Sequence, residues 1–143
     1  MFIKQLSVFI ENTPGRLADF TQLLGENQID LVALSIADTS QYGILRGIVA
    51  DYEKALKLIC EAGYTARLTN VLAVSVSDEP GGLARVLKIL NENEIGIEYL
   101  YSFVRHTDQN ALVIMRVEDL EKAAKLLEQS GVVMLAQEEV KNL

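Results

Sequence analysis

Apolar and polar residues alternate over residues 2–10, with Leu6, Val8 and Ile10 on one side, and again over 71–77, with Leu72, Val74 and Val76. That is the period of a strand with one face buried. Further on the period changes: Leu17, Phe20, Leu23 and Leu24, and later Leu83, Val86, Leu87 and Leu90, recur at helical spacing and predict amphipathic helices. Pro14 and Pro80 fall where proline suits a first helical turn, and Asn27 and Asn93 fall where a helix stops. β-rich runs at 29–38 and 95–104 lead through polar turns to strands at 44–49 and 111–117. Asp51 and Asp119 stand as caps for second helices, which Gly63 and Gly131 end with a left-handed residue. Residues 64–69 and 132–137 close each series with a last strand.

The order strand, helix, strand, strand, helix, strand occurs twice because the chain is a repeat. Residues 12–38 lie over 78–104 at an offset of 66, with nine of 27 positions identical, among them Pro14/Pro80, Gly15/Gly81, Leu17/Leu83 and Asn27/Asn93. Past a longer second loop near His106 the offset becomes 68, and residues 52–63 match 120–131 at six of twelve positions. The expected fold is α+β: two tandem ferredoxin-like β-α-β-β-α-β sandwiches with antiparallel sheets, as domains 1–69 and 70–143. A unit of this size is marginal alone, so the copies should share an interface. No Pro-, Ser- or Gly-rich linker separates them; Leu68-Thr69-Asn70-Val71 passes almost directly from strand to strand. Sheets joined through their second strands would place the next first strand roughly 29 Å away at about 4.8 Å per strand. One or two residues at about 3.5 Å each cannot span that. Either the copies pair differently or their last strands are exchanged between sheets, and exchange is the favoured expectation.

Composition narrows the function. Half of the 143 residues are hydrophobic, enough to support a packed core, and 13 basic against 20 acidic residues give a net charge of −7. Lys and Arg do not cluster, which argues against a nucleic-acid partner. No apolar run approaches the roughly 20 residues that cross a bilayer, and the start of the chain lacks a signal-peptide pattern. The expected location is therefore cytoplasmic, with no membrane partner. One cysteine, Cys60, and one histidine, His106, cannot build an internal disulfide, a multi-thiolate metal site or a two-histidine metal motif. No cofactor or metal is expected, and enzyme signatures such as a phosphate loop or nucleophile elbow are absent. Cys60 reads as a buried or half-buried filler, His106 as an exposed turn residue, and Glu138-Glu139 as solvated tail charge.

The feature that stands out is the turn from first strand to first helix: Asn12-Thr13-Pro14-Gly15-Arg16-Leu17 and Asp78-Glu79-Pro80-Gly81-Gly82-Leu83. Any helix start uses such residues. Gly after Pro, however, leaves backbone N–H groups uncovered at the positive end of a helix, where a carboxylate is favoured. Asn12 or Asp78 could accept a hydrogen bond from an ammonium group, so the turn matches a zwitterion. Polar-x-Pro-Gly-x-Leu, a dozen helical residues and a strand start of the Asn-Gln-Ile-Asp-Leu type resemble the ACT domain family, over the whole chain as two tandem copies without a catalytic domain.

The resemblance implies a non-catalytic regulatory module that binds a free amino acid or close analogue where two ACT domains meet. It would control a partner enzyme of amino-acid metabolism. Carried over by position, one site combines Asn12, Thr13, Pro14, Gly15, Arg16 and Leu17 with Gly96, Ile97, Glu98 and Tyr99. The other combines Asp78, Glu79, Gly81, Gly82 and Leu83 with Asp30, Leu31, Val32 and Ala33. Ile10 and Val76 stand where family members often carry a polar residue. Arg16 and the neutral Asn12 suit a carboxylate, whereas Asp78, Glu79 and Asp30 would repel one, so one good site is expected rather than two. Tyr99 and Tyr101, on one face of a strand, could rim a ligand side chain, with Arg105 and His106 just beyond. A homo-oligomer is expected, since small units leave strand edges to be covered. The alternative is an assembly subunit of a biosynthetic enzyme that binds no ligand. A small ferredoxin-like hydrolase of acylphosphatase type would need a basic phosphate cradle in the first loop, and the second copy has no Arg there.

Overall fold

The computed structural model describes residues 2–38, 41–103 and 110–143. Val104, Arg105, His106 and the rest of the second copy's longer loop lie outside the described residues. Two compact units are present: one runs from Lys4 to Thr69 and takes in residues 141–143, the other from Asn70 to Val140 and takes in Phe2 and Ile3.

The first unit contains β1 (Ile3–Glu11), α1 (Arg16–Glu26), β2 (Leu31–Asp38), β3 (Tyr42–Val49) and α2 (Tyr52–Glu61), and closes on the start of β4 (Ala66–Ser77). Its strand order is β2-β3-β1-β4. β1 runs antiparallel to β3 with Leu6 opposite Gly47 and Glu11 opposite Tyr42. Because side chains alternate along β1, Leu6, Val8 and Ile10 meet Phe20 and Leu24 of α1 and Ala55 and Ile59 of α2 in one core. The second unit continues along β4 into α3 (Gly82–Glu92), β5 (Ile97–Ser102), β6 (Asn110–Val117), α4 (Leu120–Gln129) and a short α5 (Gln137–Lys141). Its order is β4-β6-β5, and Leu72, Val74 and Val76 pack on Val86, Leu90, Ala123 and Leu127.

The repeat persists in detail. β2 and β5 carry a register shift at matching places, between Leu31 and Ala33 and between Ile97 and Tyr99. Asp51 and Asp119 accept the backbone N–H of Lys54 and Lys122 at 3.1 and 3.0 Å, and Gly63 and Gly131 take φ of +94° and +75°. Asn27 and Asn93 end α1 and α3. Their backbone carbonyls accept the ammonium groups of Lys54 and Lys122 at 2.9 and 3.0 Å, so one lysine both follows a cap and ties down the end of the neighbouring helix.

Four expectations are corrected. Pro14 and Pro80 lie before the helices, which begin at Arg16 and Gly82 behind the left-handed cap residues Gly15 and Gly81. Last strands are not exchanged: the Phe9 N–H donates to the Thr65 carbonyl within the first copy, and Ser75 N–H to Val133 within the second. Exchange is unnecessary because the last strand of the first copy and the first strand of the second are one continuous strand, β4. Residues 132–137 form no strand beyond a bridge of Met134 to Val74. Instead the Glu139 carboxylate accepts the Ala136 N–H at 2.6 Å, half of a capping box, and starts α5, with Glu138 and Glu139 both exposed as solvated charge. Finally, Cys60 is exposed.

Candidate functional site

The two turns share a backbone device. Gly15 and Gly81 adopt φ of +90° and +85°, and no side chain caps the helix that follows either. A left-handed residue at the cap turns the chain sharply enough to leave the helix start facing outward, a conformation glycine adopts without steric cost. Arg16 N–H donates to Thr13 at 3.3 Å and Gly82 N–H to Glu79 at 3.0 Å.

They differ in how they seat. Residues 12–17 are exposed throughout, Leu17 included at 39%. In the second turn Gly82 is buried and Leu83 packs on the core. The cause is local: a Cβ on Gly82 would lie 2.0 Å from the Ser77 carbonyl oxygen. Only glycine lets α3 start this close to the end of β4, and Arg16, at the matching position, does not.

Charge is more even than the sequence suggests. Arg16 pairs with Glu11 at 3.1 Å, both about half exposed. Glu79 pairs with Arg85, six residues further on, so the second turn is not simply acidic. Arg85 matches Asp19 in the first copy. Each turn therefore holds two carboxylates and one guanidinium, and the expected contrast between a tolerant and a repelling site shrinks. Arg85 was missed because its partner is six residues away rather than at helical spacing.

The second-strand candidates are less available than expected. Val32 and Ala33 are buried. Asp30 is exposed and Leu31 half-buried. Gly96 donates its N–H to the Glu118 carboxylate at 3.3 Å, and its carbonyl accepts the Glu118 N–H at 3.0 Å. Glu98 pairs with Arg116 at 3.3 Å. Ile97 is exposed, Tyr99 half-buried and Tyr101 buried, so Tyr101 is part of the packing rather than a rim. Within each unit the turn and the second-strand start lie at opposite ends of an 11-residue helix, about 16 Å long. The two groups of one copy cannot hold one small ligand.

Each turn adjoins a cleft. The first, about 240 Å³, lies between Phe9, Ile10, Glu11, Arg16, Tyr42 and the turn residues 62–65. The second, about 360 Å³, is lined at the same repeat positions by Ser75, Val76, Ser77, Gly82, Asn110 and residues 130–133. Sequence reading missed both, although the offsets of 66 and 68 pair their linings. Among the described residues, no group of three or more His, Cys, Asp or Glu could hold a metal ion. No helix among the described residues is long and apolar enough to cross a membrane.

Over residues 1–143 the chain matches the family described as an ACT domain pair. It is similar to protein BT0572 from Bacteroides thetaiotaomicron, at 38% identity and a TM-score of 0.93, covering 100% of this chain and 98% of that one. In fold it is similar to the regulatory subunit of aspartate kinase from Thermus thermophilus, at 20% identity, a TM-score of 0.62, and coverage of 89% and 91%. The Thermus flavus subunit gives 20%, 0.59, and coverage of 90% and 92%. No curated protein sequence matches.

Proposed function

This chain belongs to the ACT domain family as a tandem pair, and from that premise we propose that it is a non-catalytic regulatory protein that binds a free amino acid or close analogue. The first Pro-Gly turn is its site, and its binding state controls a partner enzyme of amino-acid metabolism. The observation that carries this reading is the first turn: residues 12–17 are exposed, and the helix behind Gly15 has no side-chain cap. Such a helix start attracts a carboxylate, while Asn12 and Glu11 supply acceptors for an ammonium group. The fold-level likeness to aspartate kinase regulatory subunits supports a regulatory role.

The test is a thermal-shift screen of the purified chain against the twenty amino acids. A ligand at 100 times its dissociation constant adds about 2.7 kcal/mol and raises the melting temperature by several degrees. Calorimetry with the ligand found then reads Asn12→Leu, which should weaken binding by about ten- to a hundred-fold through loss of a hydrogen bond to a charged group. No shift with any amino acid would sink the proposal. It would favour the second reading, a non-ligand-binding assembly subunit, for which the exposed Ile97 and Leu100 on β5 speak.

A further inference from the structure

We propose that the first cleft selects an aromatic amino acid, its ring against Phe9, Tyr42 and Tyr64 and its charged groups on Glu11 and Arg16. This rests on the reading that the adjoining turn binds a free amino acid. The chain has five Tyr, four Phe and no Trp, and three of these aromatics line this one cleft. Phe9 and Tyr42 are 54% and 52% exposed, an arrangement that leaves apolar surface in water without contributing to a core. Both belong to one face of paired strands: Tyr42 stands opposite Glu11, two residues from Phe9. Tyr64 is held from behind by the fully buried Phe20, edge to face, with ring centroids 5.3 Å apart. Tyr64 thus borders the cleft from the helix-covered side of the sheet and is fixed before any ligand arrives, while Phe9 and Tyr42 border it from the other face.

The polar rim fits the rest of the molecule. Glu11 and Arg16 pair at 3.1 Å with both side chains about half exposed, so a zwitterion can insert, ammonium to Glu11 and carboxylate to Arg16, at little cost. A cleft of about 240 Å³ suits a single amino acid rather than a larger ligand.

The second copy shows that the fold itself does not require these residues. Phe9, Glu11, Arg16, Tyr42 and Tyr64 are matched there by Ser75, Ser77, Gly82, Asn110 and Val132. The same topology closes around a larger cleft with no ring, where Arg85, paired with Glu79, stands in place of the Glu11–Arg16 pair. The aromatic lining is therefore a property of the first copy alone, and the second cleft lacks the means to select a ring.

The absence of Trp supplies the assay. Fluorescence of L-tryptophan, excited to the red of tyrosine absorption and titrated with the full chain, reports the ligand alone, and L-phenylalanine, L-tyrosine, L-leucine and L-aspartate are then used as competitors. Aromatic amino acids should bind at least about ten-fold more tightly than leucine or aspartate. The Phe9→Ser/Tyr42→Asn double variant, built from second-copy residues at exposed positions, should lose that preference, its affinity for aromatic amino acids falling to that for leucine, while melting temperature stays nearly unchanged. Equal affinity for leucine and the aromatics, or a double variant that keeps its preference, would overturn the assignment while leaving amino-acid binding intact. Failure of every amino acid to bind would overturn this inference and the proposed function together. A double variant that changes sedimentation but not selectivity would make the rings a self-association patch and overturn the inference.

Discussion

At the residue scale, glycine positions separate backbone demands from ligand demands. Sequence reasoning treats Gly15 as small so that a ligand can approach, yet its φ of +90° already excludes β-branched residues. Gly15→Val would therefore confuse strain with lost binding, and Gly15→Asn, which tolerates the left-handed region, is the better probe. Gly82 answers to packing instead. Gly82→Ala should destabilise by about 1–3 kcal/mol, because the new Cβ meets the backbone of Ser77 rather than a side chain that could move. Gly25, inside α1, faces open space, and Gly25→Ala should stabilise by about 0.5–1 kcal/mol. Urea unfolding of the two variants beside the parent should give shifts of opposite sign. Two shifts of the same sign would contradict this account of Gly82.

At the scale of the element, each unit binds its helices to one another through a repeated contact. Asp51→Ala and Asp119→Ala should each cost about 1 kcal/mol, since each removes one cap from one helix. Lys54→Met and Lys122→Met remove the donor to the end of the neighbouring helix and should cost about 0.5–1.5 kcal/mol. Because the two copies use the same atoms, the matched variants should agree within error in thermal unfolding. A large difference within either pair would mean that the copies do not share this device. Similarly, α5 depends on Glu139 and on the buried Val140. Val140→Asp should destabilise the protein by more than Glu139→Gln, because it buries a carboxylate rather than weakening an exposed cap.

At the scale of the whole molecule, β2 and β5 are each paired on one edge only, and they carry exposed Ile36, Ile97 and Leu100. Edges with apolar side chains tend to be covered by a further copy. The chain is expected to form a homodimer or larger assembly that Leu100→Lys weakens, as read by sedimentation at tens of micromolar. Each chain brings a net charge of −7. Association should therefore tighten between about 50 and 500 mM salt as like-charge repulsion is screened. A monomer under both conditions would count against oligomerisation.

Periodicity and repetition alone determined most of the fold. Alternation at Leu6, Val8 and Ile10, helical spacing at Phe20 and Leu24, and caps at Asp51 and Asp119 are local properties, set by backbone geometry and by which face must leave water. The offset of 66 then carried each element into the second copy. Tertiary structure decided what depends on partners distant in sequence or on backbone angles. It made residues 66–77 one strand, where local propensity reads two. It showed that Gly82 sits against Ser77, that Glu118 engages the backbone of Gly96, and that Arg85 offsets Glu79. It also brought Phe9, Tyr42 and Tyr64 into one cleft, although no motif joins them. Strands separated by a helix and another strand become neighbours only through hydrogen bonding, and that pairing has no signature in the spacing of the side chains themselves.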